Sequence, residues 1–394
     1  MSVEAPARAR PVRPLVFFAI TAAVLHVVVA LTNTLFAGVE PSDRDIPGGP
    51  AIVGWLHFDS GWYVAIAENG YSWIRGQQSS IAFFPLYPLV LRAVAATGMS
   101  TYVAAQVVTV VSGAAVAVVW WTWLGDHVDA AGRRVAFALL LLYPYAWFLY
   151  GTGYSDALFL ALTMSAFVCA DHRRWLAAGV LGGLATATRP VAPAVIVGLV
   201  AVALDRSGVV QRVRSEVGTR WRVDRDRWRP GILLVACSAA GLACWCGWLW
   251  WRFGDPLAFL TVQSSPGWDQ AAGPRTWFKV RFFSLLFGGH LSVLRLAPQA
   301  LGVLTGLALS PAVARRFGWG YGAYVVAVIG IPAIGTGDFM GTGRYVLAAF
   351  PVFALVGEWL SVRRTSWLAP AVLGAAAVGL VVGAGMFGAG NYLT

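Results

Sequence analysis

The chain has 394 residues, 58% of them hydrophobic and only 12% charged, with a mean hydropathy of +0.67. That balance excludes a soluble globular domain and implies a polytopic membrane protein. The net charge of +11 rests almost wholly on arginine; spread over short loops, these arginines form no single basic surface, which excludes a nucleic-acid-binding protein.

In chain order, residues 1–14 form a basic cytoplasmic tail and 15–394 a single transmembrane domain. The run from Leu15 to Phe36 is too long for a signal-peptide core and reads as a retained signal anchor. Apolar runs predict about eleven spans, at 15–36, 101–124, 135–150, 155–170, 175–188, 190–204, 231–252, 291–314, 317–335, 344–360 and 367–389. The stretch 82–98 is apolar but short and broken by Pro85 and Pro88, so it is expected to lie in the interface rather than to cross.

Arginine clusters fall at Arg8/Arg10/Arg13, Arg133/Arg134, Arg173/Arg174, 206–229, Arg315/Arg316 and Arg363/Arg364. An inside N-terminus puts all of them on the cytoplasmic side, provided 175–204 crosses twice and turns near Arg189-Pro190 and Pro193. The first outer loop is then 37–100, the basic cytoplasmic loop 205–230 and the second long outer loop 253–290. The basic loop is expected to set the topology and to touch anionic lipid. Cys169, Cys237, Cys244 and Cys246 lie inside apolar runs and read as packing thiols. Arginine, alanine, valine and glycine usage is that of a GC-rich, bacterial-type chain.

The far side carries the unusual acids. In "GWLHFDSGWYVAIAENGY", 54–71, a continuous helix would put Ile52, Trp55, Trp62, Tyr63 and Ile66 within about 60° of Asp59. His57 and Glu68 would then lie roughly opposite. A carboxylate in the middle of an apolar stripe is costly unless it is used. The loops on that side also hold Asp156 ("GTGYSDALF"), Asp255 ("FGDPLAF") and Asp338 ("GTGDFMGTGRY").

A large first outer loop with an aromatic-flanked acid resembles the GT-C superfamily of membrane glycosyltransferases. The closer resemblance is to the PIG-V-like mannosyltransferases, which include the enzyme adding the second mannose of GPI anchors. Four stretches carry it: "HFDSGWYVAIAENGY" (57–71), "AFFPLYPLVLR" (82–92), "GDPLAFLTVQ" (254–263) and "GRYVLAAFPVF" (343–353). It implies an all-α polytopic fold, a GT-C-like bundle with interfacial helices in its first extracytoplasmic loop. It also implies an inverting transfer of mannose from a polyprenyl-phosphate sugar, on the extracytoplasmic face, to a lipid-linked, glycan or protein hydroxyl. The acid of the first loop, here Asp59, would be the catalytic base. The GPI acceptor is not carried over to a bacterial-type plasma-membrane chain.

Such a transfer needs a base, a cation for the leaving phosphate and a dry sugar pocket. Apolar neighbours would raise the basicity of Asp59. The candidates for the phosphate are Arg344, Arg189, Lys279 and Arg281, each of which could instead anchor a span at the interface. Asp156 could orient the acceptor or serve as a helix N-cap. Asp255 before Pro256 reads as a helix start and Asp338 as part of a tight loop. Trp55, Trp62, Tyr63, Trp73 and Tyr87 could line the sugar or lipid site, or belong to an interfacial belt.

No cofactor is demanded, since arginines can balance a monophosphate. A divalent metal on Asp43, Asp45 and Asp59 is possible, although "PSDRDIPGG" is more simply a solvated turn. The competing readings are a transporter or flippase of a lipid-linked sugar, a transferase of another polyprenyl-phosphate sugar, and a non-catalytic partner that binds such a lipid.

Overall fold

The computed structural model describes residues 12–36, 49–215, 218–268, 270, 273–363 and 367–393. Arg8, Arg10, Asp43, Asp45 and Arg364 lie outside them. The apolar runs are helical where hydropathy expects spans, and five stretches are long and apolar enough to cross a membrane unaided. These are α1 (Val12–Phe36), α4 (Thr101–His127), the continuous Pro230–Phe253, α11 (Val293–Phe317) and α15 (Leu368–Gly388). Between α1 and α4 lie the first-loop helices α2 (Asp59–Asn69) and α3 (Leu86–Ala95). At 10 residues, α3 is too short to span, which agrees with the interfacial reading of 82–98.

The shorter helices are α5 (Ala130–Leu141), α6 (Asp156–Asp171), α7 (Trp175–Thr186), α8 (Ala192–Ser207) and, after α9 (Ala240–Phe253) and α10 (Val280–Phe287), α12 (Trp319–Gly335). With 12 to 17 residues each they fall short of the bilayer core. Packed among other helices, their ends find polar partners in protein rather than in lipid. The stretch 175–204 is two helices, parted at Ala187–Val191 around Pro190, with Pro193 in the first turn of α8. Glycines let α7 approach closely: a Cβ at Gly183 would meet the carbonyl oxygen of Cys237 at 2.7 Å. The span expected at 344–360 is broken, with α13 (Thr342–Ala348) and α14 (Phe350–Ser361) meeting at 71°. Pro351 in the first turn of α14 cannot continue the hydrogen bonding of α13.

The basic loop departs locally from the all-helical expectation. β1 (Val210–Ser215) pairs antiparallel with β2 (Gly218–Val223), Val210 opposite Val223. Along β2, Arg220 and Arg222 alternate with Trp221 and Val223, a period-2 pattern that suits a hairpin. Trp319 fastens it to the bundle by donating from its indole Nε1 to the Val210 carbonyl at 3.2 Å.

The connecting loops gather into two groups at opposite ends of the bundle. At one end, Asp171 closes a network: its Oδ1 accepts from Arg206 Nε at 2.8 Å and its Oδ2 from the Tyr321 hydroxyl at 2.6 Å. Nearby, Arg316 forks onto Glu358, with both nitrogen–oxygen distances 2.8 Å. These groups tie the ends of α6, α8, α11, α12 and α14. The other end collects the first loop, residues 150–156, the Ala187–Val191 turn and the 336–343 loop.

Candidate active site

The continuous helix assumed across 52–66 does not form. Ile52 lies in a short helix, Pro50–Val53, and the chain then turns until Phe58, whose φ is 54°. The new helix, α2, starts at Asp59. Trp55 therefore does not share a helix face with Asp59. It is fully buried, its ring 5.2 Å from His26. A Cβ at Gly151 would meet the Trp55 indole at 2.7 Å. Gly151→Ala should therefore overpack this contact and lower stability by about 1–3 kcal/mol; an unchanged melting temperature in detergent would refute the close fit.

Asp59 occupies the first turn of α2, where unpaired backbone N–H groups favour a carboxylate. Its amide donates to the Tyr154 phenol oxygen at 3.2 Å, and the Tyr154 hydroxyl donates to the His57 carbonyl at 3.4 Å. The carboxylate stays 23% exposed, and its Oδ2 lies 3.5 Å from Arg344 Nη1. One turn along, the Tyr63 hydroxyl shares a 2.8 Å hydrogen bond with Ser155 Oγ. Burial pushes Tyr63 up to about 12 against the opposing pull of Arg189, so the phenol is neutral at physiological pH.

Asp156 opens α6, but no side-chain bond caps that helix. The N-cap explanation thus gives way to an ion pair: Asp156 Oδ1 meets Arg189 Nη1, the two side chains being 4% and 6% exposed. Its other oxygen, Oδ2, is 3.9 Å from Arg344 Nη1. Arg344 is therefore bracketed by two carboxylates, and the group holds two negative and two positive side chains. Aromatic faces complete it. The Arg189 guanidinium lies 4.6 Å from the Tyr345 ring, and that of Arg344 lies 5.6 Å from both Phe148 and Tyr154. Segments far apart in sequence, at 59, 154–156, 189 and 344–345, thus converge on one point.

The remaining candidates go elsewhere. Lys279 donates from Nζ to the Thr336 carbonyl and sits 4.9 Å from the Phe339 ring. Burial pulls Lys279 down to about 8, with Asp338 opposing. Arg281 Nε is 3.2 Å from Asp338 Oδ2. Both cations therefore brace the 336–341 loop, which leads into Arg344. Asp338 Oδ1 also accepts from the Met340 amide at 3.1 Å, as a tight loop requires. Asp255 Oδ1 accepts from the Leu257 amide at 2.9 Å, just before the helix Ala258–Thr261.

Trp62 stacks on Phe83 at 5.7 Å and meets Trp268 edge-on at 5.9 Å. Tyr87 is fully buried, its hydroxyl donating to the Ala105 carbonyl at 3.3 Å. Trp73 lies under Arg75, 5.1 Å away. Among the described residues no three His, Cys, Asp or Glu side chains gather as a metal site.

Tyr154, Ser155 and Tyr345 belong to the group although sequence alone did not single them out. Each is next to a selected charge or one residue from it, in "GTGYSD" and "GTGRY". Gln299 is another. Only 1% exposed, it accepts from the Gly343 amide at 3.1 Å and so fixes the backbone beside Arg344.

The bundle with its long first loop is an all-α polytopic fold. It resembles the solved structure of ArnT from Cupriavidus metallidurans bound to undecaprenyl phosphate, with a TM-score of 0.51 and 16% identity over 96% of this chain and 77% of that one. An oligosaccharyltransferase from Archaeoglobus fulgidus gives a TM-score of 0.45 and 13% identity over 94% of this chain and 55% of that one, too weak a likeness to add anything. No family model and no curated protein matches the sequence.

Proposed function

We propose that the chain is an inverting membrane glycosyltransferase. It moves mannose from a polyprenyl-phosphate carrier to a hydroxyl acceptor on the extracytoplasmic face of the plasma membrane. The observation that carries this reading is the pairing of a partly exposed carboxylate, Asp59, with Arg344 at 3.5 Å, among loops from one end of a GT-C-like bundle. The mannosyl assignment rests on the PIG-V-like stretches at 57–71, 82–92, 254–263 and 343–353. The ArnT structure holds undecaprenyl phosphate, the class of carrier that the proposal gives this donor.

In the proposed reaction the acceptor oxygen attacks the anomeric carbon and its proton passes to Asp59. The bond from that carbon to the phosphate oxygen breaks, and its electron pair leaves with polyprenyl phosphate. Inversion puts the base and the leaving phosphate on opposite faces of the sugar ring. A ring cannot fit between two groups 3.5 Å apart, so Arg344 must leave Asp59 when the donor binds. Its guanidinium then balances the phosphate, and the carboxylate, no longer covered by that cation, can take the proton. The ion pair thus keeps the base idle until the donor arrives. The enclosed Asp156–Arg189 pair holds the surrounding loops in place.

The test supplies labelled polyprenyl-phosphate mannose to membranes from an overexpressing host. Label should move to an acceptor while polyprenyl phosphate accumulates. Label that crosses sealed vesicles without transfer would instead establish a transporter. Transfer from a pentose carrier but not from mannose would change the donor sugar and keep the reaction class.

A further inference from the structure

At the end of the bundle away from Asp59 lies a cavity of about 360 Å³, walled by Arg173, Trp175, Ser207, Arg227, Arg229 and Ile232. The 16 residues of α6 separate the two ends, about 24 Å at 1.5 Å per residue. Three guanidiniums meet there, and among the described residues one carboxylate pairs with them: Asp224 Oδ2 accepts from Arg227 Nε at 3.1 Å. Arg173 donates to the Arg206 carbonyl at 2.9 Å. Arg229 reaches the carbonyls of Asp226 and Trp228, both at a long 3.4 Å. Arg206 itself is paired with Asp171 at 2.8 Å. Bonds to carbonyls use N–H groups without neutralising charge, so the cavity keeps an excess of positive charge and spare donors.

Two features separate this cavity from an ordinary solvated basic face. It is concave, and Trp175 and the buried Ile232 give it an apolar wall beside the guanidiniums. An apolar wall against converging arginines matches a phosphate that carries a hydrocarbon portion. We propose that this cavity is a phosphate-binding site whose ligand chemistry is the phosphodiester headgroup of an anionic lipid. The site is independent of the sugar-transfer reading, because none of its residues belongs to the Asp59 group.

The full chain, purified and delipidated in neutral detergent, would be titrated with phosphatidylglycerol and separately with phosphatidylcholine, and bound lipid counted by native mass spectrometry. Phosphatidylglycerol should bind at least about tenfold more tightly, because phosphatidylcholine presents the same phosphodiester with a quaternary ammonium that the clustered guanidiniums repel. Arg173→Gln with Arg229→Gln should remove that preference, and Arg363→Gln, outside the cavity, should not. Arg229→Gln alone guards against misfolding, since among the described residues Arg229 bonds to nearby carbonyls, and it should weaken binding severalfold. Millimolar inorganic phosphate that displaces the lipid would show that the phosphate group alone suffices; failure to displace would restrict the site to lipid. Equal binding of the two lipids, or an equal loss with Arg363→Gln, would overturn the proposal.

Discussion

Asp59→Asn is expected to lower sugar transfer by ~10²–10⁴-fold, the range for losing a positioned general base, while leaving the protein folded. Asparagine keeps the shape of the side chain but removes its charge and its ability to accept the acceptor's proton. The structural cost should be small, because the one ion pair lost is long at 3.5 Å and Asp59 is 23% exposed; partly exposed pairs contribute about 0–1 kcal/mol. The measurement is transfer from labelled polyprenyl-phosphate mannose, at matched protein level, with thermal unfolding followed in parallel. Equal transfer by both proteins would remove Asp59 from the mechanism and direct attention to Asp156.

The largest stability effect should come from the pair beside it. With Asp156 and Arg189 only 4% and 6% exposed, Asp156→Ala leaves a guanidinium enclosed without its counter-charge. Breaking such a pair costs about 3–5 kcal/mol, whereas replacing both members by apolar residues of similar size is often neutral. Asp156→Leu combined with Arg189→Met should therefore recover much of the melting temperature that Asp156→Ala loses. The double variant should still be inactive, because Arg344 would lack its second carboxylate and the Tyr345 ring one of its two neighbouring cations. Equal melting of the single and double variants would show that the pair does not hold this end of the bundle.

Much of the architecture was legible because hydropathy and loop arginines are local signals. The prolines at 190 and 193 announced the turn between α7 and α8, and the interruptions at Pro85 and Pro88 marked α3 as too short to span. What failed did so through the backbone. The helical wheel around Asp59 assumed an unbroken helix, and nothing in "WLHF" warns that Phe58 takes a left-handed φ of 54°. The pairing of β1 with β2 was hidden in a loop read for its charge. In the site, Asp59, Asp156, Arg189 and Arg344 were each visible as a charge where charge is costly, but which would meet which depends on packing. The same packing sends Lys279 and Arg281 to the 336–341 loop, a destination that residue type alone could not separate from phosphate binding.

The spacing of the converging charges also bears on how the protein is made. Asp156 and Arg189 are separated by a single helix pair, so they can meet almost as soon as both have left the ribosome. Asp59 and Arg344 are 285 residues apart. At ~5–20 residues per second, the first-loop carboxylate waits roughly 15–60 s for its guanidinium. Throughout that interval the nascent chain has an acid committed to a site whose cation does not yet exist. The partly exposed position of Asp59, in a loop helix rather than a span, lets water carry that charge until the tenth apolar segment is inserted.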